Sequence, residues 1–568
     1  METTRKYLPA DLKIENWESV KPYFERLLQK EIGSIQELKE WLNQRSELES
    51  ALSENMAWRY IRMTCDMENE QYSKDFEYFV SEIEPKITEN DFKLNQKLVE
   101  CKYSNDLDEI KYQILIRKIR TEIELFRSEN VQLLADLHKE EKEYGRIASA
   151  MTIEYEKEEI TLQKAANYLK NANREIRENV YNLIWQRRLN DSRELGNLLL
   201  KLIKKRQTIA KNAGFNNFRD YIFKKLGRFD YSVQDCFDFH EAVKNSVVPI
   251  INRMHEKRKA NLGYETLKPW DLEVDEKLRP ALKPFTNGQE LIEKTMECFR
   301  KVRPAYAEYL EIMNKGKFLD VESRKGKAPG GYNYPLHESN IPFIFMNATG
   351  SIRDVETMVH EGGHAIHSFL SKDLELVNFK DTPAEIAELA SMSMELISME
   401  HWDAFFTDKQ DLKRAKLSQL KGTIQILPWV AMVDKFQHLL YSENPETAER
   451  INDIWKSVSD EFESPVVNWV GQENIYNHLW QKQLHVFEVP FYYIEYGIAQ
   501  LGAIAIWKNY RQNQESALDL YENALKLGYT KPIPGVYSAA GIKFNFSKEY
   551  ISELMDFVWL ELERITNE

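Results

Sequence analysis

The chain has 568 residues, of which 43% are hydrophobic and 30% are charged, which is the balance of a soluble globular protein and not of a disordered one. Its net charge of −14 argues against a nucleic-acid partner, because such partners usually need a concentrated basic surface. No window approaches 18 consecutive apolar residues, and no secretory signal is evident. We therefore expect a cytoplasmic protein without a membrane partner.

The first half of the chain predicts successive long amphipathic helices, from about residue 35 to 215. In segments such as 112–126, apolar residues recur every three or four positions. A second helical block is predicted over 351–525. A loop with a short helix follows at 528–544, and a last amphipathic helix starts near residue 548. Glycine (21) and proline (18) are scarce, which also favours a mainly α-helical fold.

The four cysteines are scattered and form no CxxC pair: Cys65, Cys101, Cys236 and Cys298. Secreted disulfide scaffolds space their cysteines closely, whereas cytosolic proteins keep theirs reduced. The spacing therefore predicts buried, reduced thiols.

Turn and loop residues become frequent between about 262 and 350. The segment GKAPGGYNYP (326–335) is the strongest loop signal in the chain. The run IPFIFMN (341–347) follows it, with a proline near its start, and predicts a β-strand. We expect a little sheet structure near residues 320–350.

The segment SIRDVETMVHEGGHAIHSFL (351–370) predicts a well-capped helix. Ser351 and Asp354 fit a capping box, so the helix should begin directly after the serine. Gly362 and Gly363 lie in its interior, where each costs about 1 kcal/mol relative to alanine. Close approach of a strand or a substrate is the predicted reason for them.

On this helix His360 and His364 are four residues apart and share one face. That spacing suits two nitrogen ligands of one tetrahedral zinc ion. Glu361 is adjacent to the first histidine and can accept a proton from the attacking water without binding the metal. The alternative is a helix with two surface or core histidines.

The next predicted helix lies in DTPAEIAELASMSMEL (381–396). Thr382 is the predicted N-cap and Pro383 the first helical residue, with Glu385 completing the box. We expect Glu385 to be exposed to solvent.

Glu388 and Glu395 lie seven residues apart on this helix and share a small, largely apolar face. A carboxylate on such a face needs a partner or a cation, so Glu388 is the predicted third ligand. Glu395 and Asp354 are predicted to orient the histidines from outside the ligand set. His367 is either a further outer group or a packed side chain.

These residues resemble a known family. HEGGHAIH followed by EIAELASMSME is similar to the thimet oligopeptidase (M3) metallopeptidases, and most closely to their oligoendopeptidase F branch. In that signature a glutamate ligand follows the second histidine by some two dozen residues, and here Glu388 follows His364 by 24. The resemblance includes GGYNYPLHESNIPFIFMN before the motif and HVFEVPFYYIEYGIAQLGA after it.

The resemblance implies one zinc ion per chain, bound by the two histidines and Glu388, with the glutamate of HExxH as general base. It also implies that His485 and Tyr496 face the metal and stabilise the tetrahedral intermediate. Pro490 is predicted to open a helix whose first two turns carry Tyr492, Tyr493 and Tyr496. We expect Tyr492 in the core and assign Tyr493 to substrate binding, although the family's additional tyrosine has no clear counterpart here.

The fold that the resemblance implies is a helix-rich, zincin-type metallopeptidase, with a small β-sheet beside the active-site helix and a deep substrate channel. The IPFIFMN strand would be the substrate-facing edge, with Phe343 and Phe345 as substrate-binding residues. We divide the chain into an N-terminal helical region (1–190) and a catalytic region (191–568).

The function predicted from these features is zinc-dependent hydrolysis of internal bonds in short, unfolded oligopeptides. One alternative is a zinc carboxypeptidase or dipeptidyl carboxypeptidase, which must capture a free C-terminal carboxylate. A second alternative is a non-catalytic helical scaffold that binds peptides. The sequence leaves the oligomeric state open.

Overall fold

The computed structural model describes residues 5–107 and 109–568, which form two compact units. The first unit contains the chain up to Glu124 together with Leu282–Gln419 and Ala499–Phe544. The second contains Leu125–Ala281, Leu420–Ile498 and Asn545–Glu568. Each unit is therefore assembled from three separate stretches of chain. The predicted division at residue 190 stays a prediction.

Most of the first unit is helical. Its helices begin mainly at polar caps such as Asn16, Ser34 and Asn287, whose side chains accept from backbone amides of the first turn. The helices are Trp17–Gln29, Ile35–Cys65, Glu70–Tyr78, Glu84–Glu100, Ile110–Leu125, Gly288–Val302, Pro304–Lys315, Ile352–Ser371, Val377–Lys380, Ala384–Met399, Gln514–Leu525 and Ile533–Ala539.

The second unit is also mainly helical. Its helices are Ser128–Ser149, Leu162–Ala166, Arg174–Asn190, Ser192–Asn212, Phe218–Lys225, Val233–Ser246, Val248–Leu262, Ala448–Phe462, Glu473–Asn477, Leu484–Glu488 and Lys548–Asn567. Two longer helices, Lys409–Glu443 and Ile494–Gln512, contribute residues to both units. The mainly helical fold predicted from the sequence is confirmed. Among the described helices, none combines the length and hydrophobicity that a membrane crossing requires.

A three-stranded sheet lies in the first unit. Phe343–Ala348 is its central strand, parallel to Leu319–Glu322 and antiparallel to Tyr332–Tyr334. The predicted strand is confirmed, but the prediction that it forms an edge is wrong. Its first four residues are all buried, as expected of a strand covered on both faces. Phe343 and Phe345 lie in a hydrophobic cluster, so their burial gives no support to a contact with substrate.

The second unit contains a hairpin that the sequence analysis did not predict. Thr152–Tyr155 pairs with Glu158–Thr161 in antiparallel register. The two turn residues, Glu156 and Lys157, have φ angles of 54° and 68°. This left-handed turn is normally occupied by Asn or Gly, so the usual sequence signal is missing.

The four cysteines carry reduced thiols, as predicted. Cys236 and Cys298 are buried, and Cys65 and Cys101 are half-buried. Burial raises the pKa of the Cys65 thiol to about 12, which keeps it protonated at neutral pH. The prediction of burial therefore holds for two of the four thiols.

Candidate metal centre

The helix Ile352–Ser371, called here the histidine helix, begins where the sequence predicted. The Ser351 side chain accepts from the backbone amide of Asp354, and the Asp354 carboxylate accepts from the Ser351 amide at 2.8 Å. The same carboxylate accepts from the Thr349 amide at 2.9 Å. Asp354 thus caps the N-terminus of the helix, about 9 Å along the helix axis from His360. The prediction that Asp354 orients the imidazoles is therefore wrong.

The helix Ala384–Met399, called here the glutamate helix, begins one residue later than predicted. Pro383 is the N-cap, and no side-chain cap hydrogen bond forms there, so the predicted Thr382 cap is wrong. Glu385 is only 2% exposed, which contradicts its predicted exposure. Glu385 is buried because Tyr537 packs on the first turn of the glutamate helix, where its hydroxyl donates to the Glu385 carbonyl at 3.0 Å.

Two glycines bring the histidine helix against its neighbours. A Cβ on Gly362 would lie 2.7 Å from the Phe299 ring. A Cβ on Gly363 would lie 2.6 Å from the Ser391 Cα and 2.9 Å from the Ala390 carbonyl oxygen. The prediction of a close approach is therefore correct, but the approaching groups are a helix and an aromatic ring instead of a strand or a substrate.

His360, His364 and Glu388 converge across this contact. Nε2 of His360 lies 3.4 Å from Glu388 Oε2, and Nε2 of His364 lies 3.9 Å from the same oxygen. Their donor atoms all lie within 4.8 Å of one another. Two ligands about 2.0–2.1 Å from a tetrahedral zinc ion are about 3.4 Å apart, so the three side chains fit such an ion with little movement.

Glu395 orients the His360 imidazole through the ring nitrogen that does not face the other ligands. Its Oε1 lies 2.7 Å from His360 Nδ1, which leaves Nε2 directed toward His364 and Glu388. The other oxygen, Oε2, accepts from Gln419 Nε2 at 2.7 Å. A carboxylate behind a ligating imidazole is typical of metal centres, because it sets the tautomer and raises the basicity of the ligand.

Comparison with known proteins identifies the family to which this chain belongs. The sequence profile of Peptidase family M3 matches residues 167–556, and that of the Peptidase M3 N-terminal domain matches residues 9–126. The chain belongs to peptidase family M3. This confirms both the predicted family resemblance and the predicted peptidase activity, and it implies a metal cofactor.

Curated relatives of this M3 peptidase are bacterial. An oligoendopeptidase F homolog of Borreliella burgdorferi is 26% identical over 522 residues, which cover 87% of this chain and 85% of that protein. Oligopeptidase PepF of Bacillus subtilis is 22% identical over 394 residues, which cover 68% of this chain and 56% of that protein. The first similarity spans nearly the whole of both chains.

Solved structures share the fold. A solved structure of PZ peptidase A with an inhibitor superposes with a TM-score of 0.89 at 25% identity, covering 98% of this chain and 99% of that chain. Oligoendopeptidase F from Enterococcus faecium superposes with a TM-score of 0.64 at 17% identity and 97% coverage of both chains. The predicted metallopeptidase fold class is thereby confirmed.

The charged groups around His360, His364 and Glu388 favour binding of a cation among these three side chains. Burial lowers the pKa of His360, but the hydrogen bond and charge of Glu395 outweigh it and raise that pKa to about 9. Burial, together with the charge of His360, lowers the pKa of His364 well below its usual value. Burial also raises the pKa of Glu388. A metal cation would favour the deprotonated form of all three groups, which is the form that ligates.

Glu361 lies beside the ligands without being one of the three converging groups. Its side chain is buried, and this burial raises its pKa to about 7. Its backbone carbonyl accepts from Asn333 Nδ2 at 3.1 Å. Because Asn333 belongs to Tyr332–Tyr334, an edge strand of the sheet is fixed against the histidine helix at the residue predicted to act as general base.

His367 is not one of the three converging groups. Its ring is buried, and burial lowers its pKa to about 4 while a hydrogen bond to the Leu525 backbone partly opposes that shift. The neutral ring packs between helices of the first unit. Of the two roles that the sequence left open, this position favours packing.

His485 and three tyrosines form an aromatic cluster in the second unit. The His485 ring centroid lies 4.8 Å from that of Tyr493 and 6.0 Å from those of Tyr492 and Tyr496. Burial lowers the pKa of His485 to about 4, so its ring is neutral at pH 7. The helix begins at Ile494, so only Tyr496 lies in its first turns, which corrects the predicted start at Pro490.

The reason for the late start lies just before the helix. Phe491 has a φ of 68°, a left-handed conformation that interrupts any helix running through it. Its amide donates to Gln437 Oε1 at 3.0 Å, and this bond holds the turn in place. Tyr492 and Tyr493 therefore lie in the turn that precedes the helix.

Sequence analysis missed three residues that support the centre. Gln419 bonds to Glu395, Ser391 Oγ donates to Glu388 Oε2 at 3.1 Å, and Asn333 bonds to the Glu361 carbonyl. The position of Ser391 three residues after Glu388 was a usable signal, because side chains at that spacing meet on a helix. Gln419 and Asn333 meet the centre only through tertiary packing.

Proposed function

We propose that this M3 peptidase is a zinc-dependent endopeptidase that hydrolyses internal bonds of short, unfolded peptides. The observation that carries the proposal is the convergence of His360, His364 and Glu388 beside the buried carboxyl group of Glu361. The names of its relatives, oligoendopeptidase F and oligopeptidase, support the endopeptidase activity and the preference for peptides. The cytoplasmic location stays a prediction.

One zinc ion per chain would be held by His360, His364 and Glu388. When bound, zinc would supply Lewis-acid polarisation of the scissile carbonyl and of the attacking water. Two imidazoles and one carboxylate are a frequent ligand set of catalytic zinc, since three protein ligands leave one coordination position open. Glu395 orients His360, and Ser391 holds the Glu388 oxygen that the imidazoles approach.

Glu361 is the proposed general base. It follows a ligand directly on the histidine helix, so its carboxylate lies at the edge of the face that carries both imidazoles. From there it takes a proton from the attacking water at one carboxylate oxygen. It then donates that proton to the departing amine as the peptide bond breaks.

The substrate would bind along the edge of the three-stranded sheet. Tyr332–Tyr334 is an edge strand, and its pairing with Phe343–Ala348 uses only one side of its backbone. An extended peptide can add to such an edge through main-chain hydrogen bonds, which favours binding with little side-chain selectivity. The contact between Asn333 and the Glu361 carbonyl would fix that edge relative to the general base.

His485 and Tyr496 are the proposed stabilisers of the oxyanion. The proposal rests on the family resemblance and on their grouping in one aromatic cluster. The neutral His485 ring has an N–H to donate, and a tyrosine hydroxyl is a second donor. Donors positioned before the reaction stabilise the negative charge that develops on the carbonyl oxygen.

Peptides of graded length, with free and with amidated C-termini, test the proposal when products are identified by mass. We expect internal cleavage of both forms, loss of cleavage with a chelator, and recovery when zinc is restored. Cleavage restricted to peptides with a free C-terminus would show a carboxypeptidase. Stoichiometric metal without cleavage of any peptide would show a non-catalytic scaffold.

A further inference from the structure

The second unit contains another group of metal-binding side chains. Cys236 and His240 are four residues apart on Val233–Ser246, and Asp434 and His438 are four residues apart on Lys409–Glu443. Each pair therefore occupies one face of its helix. The Cys236 Sγ, a carboxylate oxygen of Asp434 and a ring nitrogen of His438 lie within 4.8 Å of one another.

The four side chains of this group, called here the cysteine group, are closed to solvent. Cys236 and His240 are each 1% exposed, and Asp434 and His438 are 0% exposed. His240 Nε2 lies 2.8 Å from Asp434 Oδ2, at hydrogen-bonding geometry. A carboxylate buried this deeply is found paired, hydrogen-bonded or bound to a metal, because its desolvation is otherwise too costly.

Protein hydrogen bonds leave much of this group unsatisfied. Within the described residues, Asp434 Oδ1 and Nδ1 of His438 have no hydrogen-bond partner. His438 Nε2 lies 3.2 Å from Asp434 Oδ2, at ion-pair distance. Buried polar groups in natural proteins are nearly always satisfied. A metal-free network would explain the contacts of Asp434 with His240 and His438, and would leave Asp434 Oδ1 and His438 Nδ1 unexplained.

Aromatic rings surround the His438 imidazole. The centroids of Phe237, Phe491 and Phe223 lie 5.0 Å, 5.1 Å and 5.7 Å from that of His438. Rings in these positions keep solvent away and lower the local dielectric constant, which strengthens the attraction between a cation and its ligands. Such a setting suits a metal that holds structure together and excludes one that must exchange water and substrate.

We propose that the cysteine group binds a second, structural metal ion through Cys236, His438 and both carboxylate oxygens of Asp434, which together complete a four-coordinate site. The ion is a divalent transition cation of the zinc type, because a thiolate combined with imidazole and carboxylate selects against magnesium and calcium. The Cys236 thiol releases its proton to solvent when its sulfur bonds to the metal. His240 positions Asp434 through their hydrogen bond and does not itself ligate.

Metal content of the purified full-length chain tests the proposal first. We expect two metal ions per chain in the wild type, and one in a variant that combines His360→Ala with His364→Ala. A wild-type chain that binds one ion, together with a double variant that binds none, would overturn the proposal. Failure of the double variant to fold leaves the wild-type stoichiometry as the deciding measurement.

X-ray absorption of the zinc-loaded chain tests the ligand assignment. Only the cysteine group would give a sulfur neighbour, at about 2.3 Å, because the ligands of the catalytic centre are two imidazoles and a carboxylate. Cys236→Ala should abolish this signal. The matched control is Cys298→Ala, a buried cysteine of the first unit whose sulfur lies 3.4 Å from the Ser398 carbonyl, and it should keep the signal.

Two results of the absorption experiment count against the assignment. Absence of a sulfur neighbour in the wild-type spectrum overturns the proposal without any variant. A sulfur neighbour that persists in Cys236→Ala, or that disappears in Cys298→Ala, places the metal elsewhere. Neither result depends on peptidase activity, so the second metal can fail while the proposed endopeptidase stands.

Discussion

The catalytic centre and the cysteine group are built by the same local rule and differ in their surroundings. In each, two ligands four residues apart on one helix meet a third ligand from a second helix, which is a carboxylate in the catalytic centre and a thiol in the cysteine group. The His360 and His364 side chains are 23% and 20% exposed, whereas Asp434 and His438 are fully buried. If both groups bind a metal, the same ligand spacing serves two purposes, and the groups packed around each site would decide whether substrate can reach the metal.

The neighbours account for the difference. Gly362 and Gly363 let the Phe299 ring and the glutamate helix pack closely against the histidine helix. The imidazole of His360 nevertheless stays partly exposed to solvent. Around the cysteine group, phenylalanine rings close the cavity. A second contrast is chemical, since a glutamate follows the first ligand of the catalytic centre directly, whereas Phe237 follows Cys236.

Glu361→Gln gives the largest expected effect and tests whether that glutamate makes the centre reactive. Removing the proton acceptor should lower kcat/KM by about 10²–10⁴-fold, because the attacking water then lacks its base. Metal content should remain that of the wild type. Steady-state kinetics and metal analysis of one preparation measure both quantities. Undiminished turnover in this variant would falsify the general-base assignment.

Tyr496→Phe tests the proposed role of the Tyr496 hydroxyl as an oxyanion donor. Loss of one oxyanion donor should lower kcat by about 10²–10³-fold with little change in thermal stability. Tyr492→Phe is the matched control, because its ring lies at the same 6.0 Å centroid distance from His485. An unchanged kcat in both variants would assign both hydroxyls to packing.

Glu395→Gln tests the contribution of the carboxylate behind His360. The amide keeps the shape of the side chain but loses its charge, so metal affinity of the catalytic centre should fall by about 10–100-fold. Chelator competition measures the change. Gln419→Ala removes only one hydrogen bond to Glu395 and should weaken binding less. A larger loss in Gln419→Ala would mean that orientation of Glu395 matters more than its charge.

Gly363→Ala gives the smallest expected effect and tests the close contact of the two helices. A Cβ there would overlap Ser391 and Ala390, so the free energy of unfolding should fall by about 1–3 kcal/mol. Gly422→Ala is the control, because a Cβ at that helical glycine meets nothing within 4 Å. Alanine there should raise the free energy of unfolding by about 1 kcal/mol. If denaturant unfolding shows the same change in free energy for Gly363→Ala and Gly422→Ala, close contact of the two helices does not explain the glycine at position 363.

Local signals predicted which side chains of the histidine helix and the glutamate helix come together. A capping box, a four-residue histidine spacing and a shared face for Glu388 and Glu395 are all properties of single helices, and they can be derived from neighbouring residues. The structure places His360, His364 and Glu388 together, and Glu395 behind His360. The failure at Asp354 has a local cause as well, since a carboxylate that closes a capping box is already engaged at the helix terminus.

Long-range pairing could not be predicted in the same way. The buried run at 343–348 is compatible with an edge or a central strand, and only the positions of Leu319–Glu322 and Tyr332–Tyr334 decide between them. The cysteine group could not be predicted from the sequence for the same reason. Its two four-residue pairs are visible in the sequence, but 198 residues separate Cys236 from Asp434 and nothing local shows that their helices meet.

The contact at Gly363 would also affect which cations the proposed metal centre accepts. Ser391 lies under this glycine and holds Glu388 by a hydrogen bond, so the separation of the two helix axes sets the distance from the carboxylate to both imidazoles. A protein interior resists compression and expansion. The proposed centre would therefore discriminate by ionic radius, and a bulkier residue at position 363 would shift the proposed preference for zinc toward larger ions such as manganese or cadmium.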